Sequence, residues 1–381
     1  MKILFTGGGT GGHFYPIIAV AEEVLRLAEE KNLLEPKLYY IGTTPYNEKA
    51  LYENEITYLH APAGKLRRYP SLRNVTDLFK TCFGTIKAIA ILLRIFPDVI
   101  FSKGGYVSIP TILAARILAI PVIIHDSDAI PGRANLLAAG YAHRIAISYP
   151  QAIDHFPKKH HDKVAVVGVP VRKQILHPEH EGAHAFLGFT DDVPTILVLG
   201  GSQGAQRINE TILEALPDLI DRYQVIHQVG PDHEETVVGT AGIALEGHAF
   251  KHRYKGFGHL DDLAMRMAAG AADLVIARAG STTIFEVSAW GTPMILIPIS
   301  EDVSRDQRKN AYAVARVGAG HVIEENNLSP HLLVSEVNRI MDNEEQRTQM
   351  SEATKELYRP DAATRIAEEL LAICIKHERT D

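Results

Sequence analysis

Two glycine-rich segments could each bind an anion, because each follows a short apolar run and precedes a helical pattern. The first is Gly7-Gly8-Gly9-Thr10-Gly11-Gly12-His13, and the second is Gly200-Gly201-Ser202-Gln203-Gly204-Ala205. Glycine permits a tight turn that brings backbone N–H groups against a phosphate, and the positive end of the following helix points to the same place. Two such segments, half a chain apart, predict two similar α/β domains facing a cleft, in an enzyme that handles phosphate.

The first segment also satisfies the Gly-x-Gly-x-x-Gly pattern of dinucleotide sites, through Gly7, Gly9 and Gly12. That pattern requires an acidic residue about 20 positions later, at the end of the second strand. The expected second strand, 38–41, instead continues into Gly42-Thr43-Thr44, which contains no carboxylate. The dinucleotide interpretation is therefore weak. Close helix–strand packing alone would not need so many glycines.

Length and composition indicate two ordinary globular domains. The chain has 381 residues, 46% hydrophobic and 22% charged, which is enough for two substantial cores. The two cysteines, Cys82 and Cys374, lack metal-type spacing and favour a reducing cytoplasm. We expect no signal peptide, because the amino terminus reaches glycine within a few residues of Lys2. We also expect no membrane-spanning segment, because charged residues and prolines interrupt the apolar runs.

The charge is unevenly distributed. The net charge of −7 argues against general binding of nucleic acids. Residues 65–94 nevertheless carry +6, so the rest of the chain carries −13. This asymmetry predicts a basic surface with a specific partner.

Strand and helix patterns alternate throughout, which predicts parallel sheets covered by helices. Strands are expected at 2–6, 38–41, 98–102, 121–125, 144–148, 164–167, 195–199, 224–228, 273–277, 293–298 and 321–323. Helices are expected at 16–30, 73–95, 109–118, 203–216, 261–270, 281–290, 306–317 and 329–342. Gly168-Val169-Pro170 marks the domain break, and Pro360 should kink a helical tail and send its last part back over the first domain. We thus expect domains at 1–165 with 355–381, and at 166–354.

Four motifs together resemble the MurG family of N-acetylglucosaminyltransferases of peptidoglycan synthesis. They are Gly9-Thr10-Gly11-Gly12-His13, Lys103-Gly104-Gly105-Tyr106, the second glycine segment, and Arg278-Ala279-Gly280 with Glu286. The resemblance implies two Rossmann-like domains of the GT-B glycosyltransferase type. It also implies transfer of N-acetylglucosamine from UDP-N-acetylglucosamine to the 4-hydroxyl of a muramoyl-peptide on undecaprenyl diphosphate, without a metal or other cofactor.

The donor site is expected in the second domain. Ser281, Thr282 and Thr283 begin a helix, so their N–H groups and hydroxyls can hold a diphosphate. The resemblance implies that Glu286 binds the ribose hydroxyls, although a glutamate there could simply complement the helix dipole. Further donor contacts are expected from Ser202, Ile284 and Phe285 of these motifs and from three polar residues of the helix after Pro298, which are Asp306, Gln307 and Asn310. Arg172, in the segment between the domains, could pair with a donor phosphate.

His13 is the best candidate for catalysis. Inverting transfer needs a deprotonated acceptor hydroxyl, and a neutral histidine can take that proton near pH 7. A charged His13 that binds the acceptor pyrophosphate is the open alternative. Substrate contacts are also expected from Thr10, Gly11 and Gly12 of the same segment.

The segment Asp126-Ser127-Asp128 departs from the Glu-Gln-Asn that is usual in the family, and Val169 stands where Asn is usual. Asp128 is still expected to contact substrate, but a carboxylate in place of an amide puts its contact with the donor in doubt. An Asp-x-Asp metal site is disfavoured, because the enzymes that use it have a single nucleotide-binding fold.

The basic segment has the pattern of a membrane-surface helix. Arg73, Lys80, Lys87 and Arg94 recur every seven residues, beside an apolar face of Val75, Leu78, Phe79, Cys82, Phe83, Ile86 and Ala90. This pattern fits contact with an anionic membrane at its cytoplasmic face. A core-facing helix with solvated lysines is the alternative. Residues 89–93 are expected to pack in the core.

Three other functions are compatible with some of these sequence motifs. A UDP-N-acetylglucosamine 2-epimerase has the same architecture, but it would need acids and histidines around the sugar. Another lipid glycosyltransferase would lack the Lys103-Gly104-Gly105-Tyr106 and His125 segments. A polyprenyl-diphosphate binding protein without transfer activity would not need Glu286 and Gln307.

Overall fold

The computed structural model describes residues 1–65, 72–201, 204–300 and 305–378. The chain divides into two compact units. The first comprises Met1–Arg172 and Arg359–Asp381, and the second comprises Lys173–Tyr358. Each unit has a parallel sheet covered by helices, as the alternating pattern predicts.

The first unit contains a seven-stranded parallel sheet in the order β3-β2-β1-β4-β5-β6-β7. Its strands are β1 Lys2–Thr6, β2 Lys37–Gly42, β3 Ile56–His60, β4 Val99–Ser102, β5 Val122–Asp126, β6 Arg144–Ile147 and β7 Val164–Val166. The second unit contains a six-stranded parallel sheet in the order β10-β9-β8-β11-β12-β13. Its strands are β8 Thr195–Leu199, β9 Gln224–Gln228, β10 Tyr254–Phe257, β11 Leu274–Ala277, β12 Met294–Leu296 and β13 Gly320–Val322.

Helices cover both faces of each sheet. Those of the first unit are α1 Gly11–Glu30, α2 Glu48–Glu53, α3 Leu72–Ile95, α4 Ile109–Ile117, α5 Arg133–Ala138 and, at the end of the chain, α15 Ala362–Glu378. Those of the second unit are α6 Lys173–Leu176, α7 Ala183–Leu187, α8 Gln206–Arg222, α9 Glu234–Ala244, α10 Asp262–Ala271, α11 Ser281–Trp290, α12 Arg305–Arg316, α13 Pro330–Met341 and α14 Glu344–Leu357.

The first unit has one apolar core on each face of its sheet. On one face, α1 and α15 pack together, and Phe14, Val24 and Leu370 are buried there. On the other face, α3 and α4 pack together, and Leu92 and Ile112 are buried there. The terminal helix thereby becomes part of the first unit, although it follows the whole second unit in sequence.

The observed division falls after Arg172 and after Tyr358, a few residues beyond the expected boundaries. The reason is local packing in the linking segments. The carbonyl of Gly168 accepts a hydrogen bond from His125 Nε2 at 2.8 Å, and Val169 is completely buried. The segment 166–172 therefore belongs to the first unit. At Pro360 the expected kink is a complete break between α14 and α15.

Within the described residues, none of the helices combines the length and the apolar character that crossing a bilayer requires.

Candidate functional sites in the two units

Both glycine segments lie at the point where the strand order of a sheet reverses. In the first unit, β1 lies between β2 and β4, so the loops after β1 and β4 leave the same edge in opposite directions. Ligands of open α/β sheets bind outside the carboxyl ends of the strands at this point. The two loops are in close contact, because a Cβ added to Gly7 would lie 2.8 Å from Lys103 Cβ.

His13 lies in the first turn of α1, which begins at Gly11 rather than at the expected residue 16. Its Nδ1 lies 2.9 Å from Thr10 Oγ1. When Nδ1 carries the ring proton, it donates to this hydroxyl, and Nε2 is left as the proton acceptor. A Cβ added to Gly105 would lie 3.5 Å from that Nε2. The motifs of β1 and β4 thus meet at the imidazole.

The environment of His13 keeps the imidazole neutral. Burial and the positive charge of Lys103 lower the pKa of His13 to about 4, although the negative charge of Asp128 opposes this shift. His13 is half-buried. The lowered pKa favours a neutral His13 at neutral pH, and a neutral imidazole can accept a proton.

This pKa gives a testable pH dependence. Protonation inactivates a general base, so activity that needs neutral His13 is kept above its pKa and lost below it. Since the pKa of His13 in the free enzyme is lowered to about 4, we expect kcat/KM for the acceptor to stay constant from pH 7.5 down to roughly pH 5, instead of falling near the usual value of about 6.5. Steady-state rates across this range, with pH-jump controls for stability, measure this profile. A half-maximal kcat/KM near pH 6.5 would contradict the expectation.

A buried polar cluster supports this edge of the sheet. The Lys103 ammonium donates to Ser127 Oγ, and burial lowers the pKa of Lys103 to about 8. The Asp126 carboxylate accepts from the backbone N–H of Gly132 at 2.8 Å and from Asn135 Nδ2 at 2.9 Å. Burial, with Asp128 next in effect, raises the pKa of Asp126 to about 6. These contacts hold the loop after β5 against the loop after β4.

Asp128 belongs to this cluster. Its backbone N–H donates to Asp126 Oδ1 at 3.1 Å, and its charge acts on His13 and on Lys103. Within the described ranges, no three His, Cys, Asp or Glu side chains are grouped in a way that could hold a metal ion.

Arg172 also lies in the first unit. Its guanidinium is stacked on the ring of Tyr15, with Cζ 4.3 Å from the ring centroid. Tyr15 follows His13 and Phe14 on α1, so the end of the linking segment lies beside the helix that carries the candidate base. The role of Arg172 as a ligand of a donor phosphate stays a prediction.

In the second unit, β8 lies between β9 and β11, which creates the corresponding reversal. The second glycine segment follows β8. Gly204 has a φ of +75°, and a Cβ there would lie 2.3 Å from the Val229 carbonyl oxygen, so only glycine fits. Ser202 and Gln203 of this segment lie outside the described residues.

Helix α11 begins directly after Arg278-Ala279-Gly280, with Gly280 at its N-cap. The N–H groups of Ser281, Thr282 and Thr283 occupy its first turn, where they point out of the helix end. Glu286 follows in the second turn and is half-buried. Ile284 and Phe285 are buried, with 0% and 1% exposure, so only their backbone could touch a ligand.

Arg278 fixes the loop before α11. Its guanidinium donates to the Ile297 carbonyl at 3.2 Å and pairs with Glu325 at 2.5 Å. Asn310 is buried, and its Nδ2 lies 3.4 Å from the Ala279 carbonyl. Our expectation that Asn310 faces the sugar is therefore wrong, because its amide holds this loop.

Gln307 lies near the start of α12 and is half-buried. Its Oε1 accepts from the Ile299 N–H at 3.2 Å. The carbonyl end of its amide thus anchors the segment after β12, and any contact with a sugar would use Nε2 as a donor. Asp306 precedes it on the same helix and is also half-buried. Contacts of Gln307 and Asp306 with the donor sugar stay predictions.

Lys103 and Ser127 are residues that our motif reasoning did not assign to the site. In the sequence analysis, Lys103 is named only as the first residue of the motif Lys103-Gly104-Gly105-Tyr106. A lysine directly after the buried strand β4, at the sheet edge where the first glycine segment lies, was the available signal. No signal in the sequence linked it to Ser127, which lies 24 residues away.

The apolar face of α3 is exposed. Val75, Leu78, Phe79, Phe83 and Ile86 are each more than half exposed, and Cys82 and Ala90 are exposed too. Lys80 is exposed, whereas Lys87 is half-buried with Nζ 3.1 Å from His60 Nδ1. Arg94 is exposed, and the Arg73 side chain lies outside the described part. Of residues 89–93, Leu92 is buried as expected, but Leu93 is 59% exposed because it lies on the opposite side of the helix.

Comparisons with known proteins identify the family of the chain. Residues 3–147 match the N-terminal domain model of glycosyltransferase family 28, and residues 195–366 match the C-terminal domain model of that family. The crystal structure of MurG from Acinetobacter baumannii has the same fold, with a TM-score of 0.72 and 24% identity over 97% of this chain and 99% of that chain. A putative UDP-N-acetylglucosamine 2-epimerase from Listeria monocytogenes shares the fold at 16% identity, with a TM-score of 0.72 over 100% of this chain and 97% of that one.

Sequence identity distinguishes the MurG family from the UDP-N-acetylglucosamine 2-epimerases, which have the same fold. A UDP-N-acetylglucosamine--N-acetylmuramyl-(pentapeptide) pyrophosphoryl-undecaprenol N-acetylglucosamine transferase of Bacillus anthracis is 38% identical over 350 residues, which is 90% of this chain and 92% of that protein. The chain is a GT-B glycosyltransferase and belongs to the MurG family of N-acetylglucosaminyltransferases.

Proposed function

We propose that this enzyme transfers N-acetylglucosamine from UDP-N-acetylglucosamine to the 4-hydroxyl of an N-acetylmuramoyl-peptide on undecaprenyl diphosphate. The product linkage is β, because the reaction inverts the anomeric carbon. The observation that carries this proposal is the neutral His13 imidazole beside Thr10, at the first glycine segment of a chain that matches this family over nine tenths of its length.

The acceptor binds to the first unit. Its pyrophosphate lies against the first glycine segment, where backbone N–H groups and the N-terminus of α1 favour an anion. Thr10, Gly11 and Gly12 are the nearest residues of that segment. His13 Nε2 then accepts the proton of the 4-hydroxyl as the hydroxyl oxygen attacks the anomeric carbon.

The donor binds to the second unit. Ser281, Thr282 and Thr283 hold its diphosphate at the N-terminus of α11, and Glu286 accepts hydrogen bonds from the ribose hydroxyls. As the new bond forms, the bond between the anomeric carbon and the diphosphate oxygen breaks. The negative charge that develops on UDP is stabilised by the helix N-terminus.

Transfer of labelled sugar tests this function. UDP-[14C]N-acetylglucosamine is incubated with the enzyme and an undecaprenyl-diphosphate muramoyl-pentapeptide, and label in the lipid fraction is counted. We expect label to move to the lipid only when the acceptor is present. Label that remains on the nucleotide, with acceptor-independent conversion to the 2-epimer, would instead support the epimerase.

We further propose that α3 contacts the anionic membrane at its cytoplasmic face, as a peripheral attachment. The support is the exposed apolar side chains Leu78, Phe79, Phe83 and Ile86 next to the cationic Lys80. Exposed apolar groups gain by entering the lipid interface, and a nearby lysine attracts anionic headgroups by about 1 kcal/mol. A lipid-linked acceptor requires such proximity.

Reversing the charges of Lys80 and Lys87 tests this attachment. We expect Lys80→Glu/Lys87→Glu to bind anionic vesicles at least about tenfold more weakly, since each lysine contributes about 1 kcal/mol that salt screens. Co-sedimentation with phosphatidylglycerol vesicles at low and high salt measures it. Transfer to a short water-soluble acceptor should be unchanged.

The matched control is Lys37→Glu/Lys158→Glu, which makes the same change in net charge at two exposed lysines of the first unit outside α3. This control should sediment like the unmodified enzyme. Equal losses in both double variants would mean that net charge alone governs binding and that α3 is an ordinary solvated helix.

A further inference from the structure

Three side chains of the second unit form a chain of hydrogen bonds that ends at the second glycine segment, and the function proposed above gives them no role. His227, in β9, is completely buried. Its Nδ1 lies 3.2 Å from the Tyr254 hydroxyl, and its Nε2 lies 3.0 Å from Asn209 Oδ1. Asn209 is 2% exposed, and its Nδ2 donates to the Val229 carbonyl at 2.9 Å.

The direction of each bond in this chain follows from its last member. A carbonyl oxygen only accepts, so Asn209 must turn its nitrogen to Val229 and its Oδ1 to His227. Oδ1 also only accepts, so the ring proton of His227 must be on Nε2. Burial lowers the pKa of His227 to about 3, which leaves the imidazole neutral with Nδ1 free to accept from the Tyr254 hydroxyl. His227 therefore determines which way the Asn209 amide faces.

Asn209 holds the second glycine segment at two points. Its backbone N–H donates to the Ala205 carbonyl at 2.8 Å, at the start of α8. Its side chain holds the Val229 carbonyl, which lies directly against Gly204, as the 2.3 Å distance to an added Cβ shows. The position of this carbonyl therefore limits where the backbone of Gly204 can lie.

This segment is next to the loop that begins the candidate donor site. The N–H of Arg278 donates to the carbonyl of Leu199 at 3.3 Å, which joins the end of β8 to the loop before α11. A binding loop that is already ordered before the ligand arrives loses less conformational entropy on binding. Groups that fix Gly204 can therefore strengthen donor binding without touching the donor.

We infer that Asn209, oriented by His227, is a positioning residue for the nucleotide of the donor. It fixes the Val229 carbonyl against Gly204 and so fixes the second glycine segment before the donor binds. Both side chains are buried, so they act through the loop and not by contact with the nucleotide. The inference rests on the proposed function in one respect, namely that the donor binds to the second unit.

Calorimetry with UDP on four variants of the full-length enzyme tests this role. Asn209→Leu, which removes the bond to Val229, should raise the Kd for UDP about tenfold and leave kcat at saturating donor within about twofold. His227→Phe, which removes the donor to Asn209 Oδ1, should raise the Kd by a smaller factor. His227→Gln should restore it, because its Nε2 can take the place of the imidazole Nε2 and donate to the same oxygen.

The fourth variant, Gln224→Leu, is the matched control. Gln224 is 1% exposed at the first position of the same strand β9, and its Nε2 donates to the carbonyls of Thr190 and Val193 at 2.9 and 2.8 Å. Its loss should lower the melting temperature as much as the loss of Asn209, because both variants remove buried hydrogen bonds. The Kd for UDP should not change, since Gln224 lies at the opposite end of the sheet from the glycine segment.

Hydrogen exchange at one amide gives a readout that needs no ligand. The N–H of Gly204 donates to the carbonyl of Gly201 at 3.0 Å. In the enzyme without nucleotide, Asn209→Leu and His227→Phe should speed exchange of this amide about tenfold, because local opening becomes easier. His227→Gln and Gln224→Leu should leave its exchange rate unchanged. NMR on 15N-labelled enzyme measures these rates.

The outcomes separate positioning from stability. Variants at Asn209 and His227 that lower only the melting temperature, with unchanged UDP binding and Gly204 exchange, overturn the inference, and so does a Gln224→Leu variant with equal losses. If Asn209→Leu does not fold, the contrast between His227→Phe and His227→Gln still decides the result. An unmodified enzyme that binds UDP but transfers no sugar overturns the proposed function instead, while the same variants still test the positioning of the loop.

Discussion

Replacing His13 with alanine is expected to lower kcat about 100-fold or more, while the Kd for UDP-N-acetylglucosamine stays close to that of the unmodified enzyme. General-base catalysis by a positioned side chain contributes roughly 100- to 10,000-fold to a rate. The imidazole belongs to the first unit, whereas we assign the nucleotide to the second, so donor binding should not depend on it. Steady-state kinetics with the lipid acceptor and calorimetry with UDP measure the two effects.

Two further variants separate catalysis from binding at His13. Thr10→Val removes the hydroxyl that lies 2.9 Å from Nδ1 and should lower kcat by a smaller factor, because the ring loses the partner that orients its tautomer. His155→Ala, at an exposed histidine of the same unit, should have no effect. A rise in acceptor KM at constant kcat would show instead that His13 is a pyrophosphate ligand.

Replacing Glu286 with alanine is expected to raise the donor KM and the Kd for UDP about ten- to a hundredfold. A lost hydrogen bond to a charged group costs roughly 1.5–3 kcal/mol, and each 1.4 kcal/mol is tenfold in affinity. Binding of the acceptor should change little. Calorimetry with UDP on the unmodified and variant enzymes gives the measurement.

The alternative for Glu286 is that its carboxylate only complements the dipole of α11. In that case the variant would lower the melting temperature by a few degrees and leave UDP binding intact. Glu345→Ala is the matched control, because Glu345 is an exposed acid in the first turn of α14 in the same unit. It should show only such a small stability effect. Unaltered binding of UDP by Glu286→Ala would remove the central residue of the proposed donor site.

Much of the fold could be predicted from local patterns. Continuous apolar runs such as 195–199 mark strands that are buried on both faces of a parallel sheet. Glycine after such a run marks the turn into the next helix, and this identified the loops after β1 and β8. The repetition of this pattern predicted two α/β domains, and the family resemblance implied that they are of the GT-B type.

The strands and helices that the sequence analysis did not predict lack a continuous apolar run or a clear helical period. Strands β3 and β10 are at the edges of their sheets, where residues are partly exposed and the apolar run is broken. Short helices such as α5 and α7 bury few side chains and show no clear period. The start of α1 was also missed, because glycine disfavours helices and the run Gly11-Gly12 resembles a loop. Tertiary contacts override that preference here.

The amino-acid sequence by itself determined which residues could do chemistry and in what local setting. A glycine turn, a helix N-terminus after Gly280 and a histidine at the start of α1 depend on neighbours within a few residues. Only the tertiary structure decided the state of that histidine. The sheet order β1-β4-β5 brings Lys103 and Asp128, about 90 and 115 residues distant, to the edge that carries His13. Burial and charge act through space, so the pKa of His13 belongs to the assembled sheet and not to any segment of the chain.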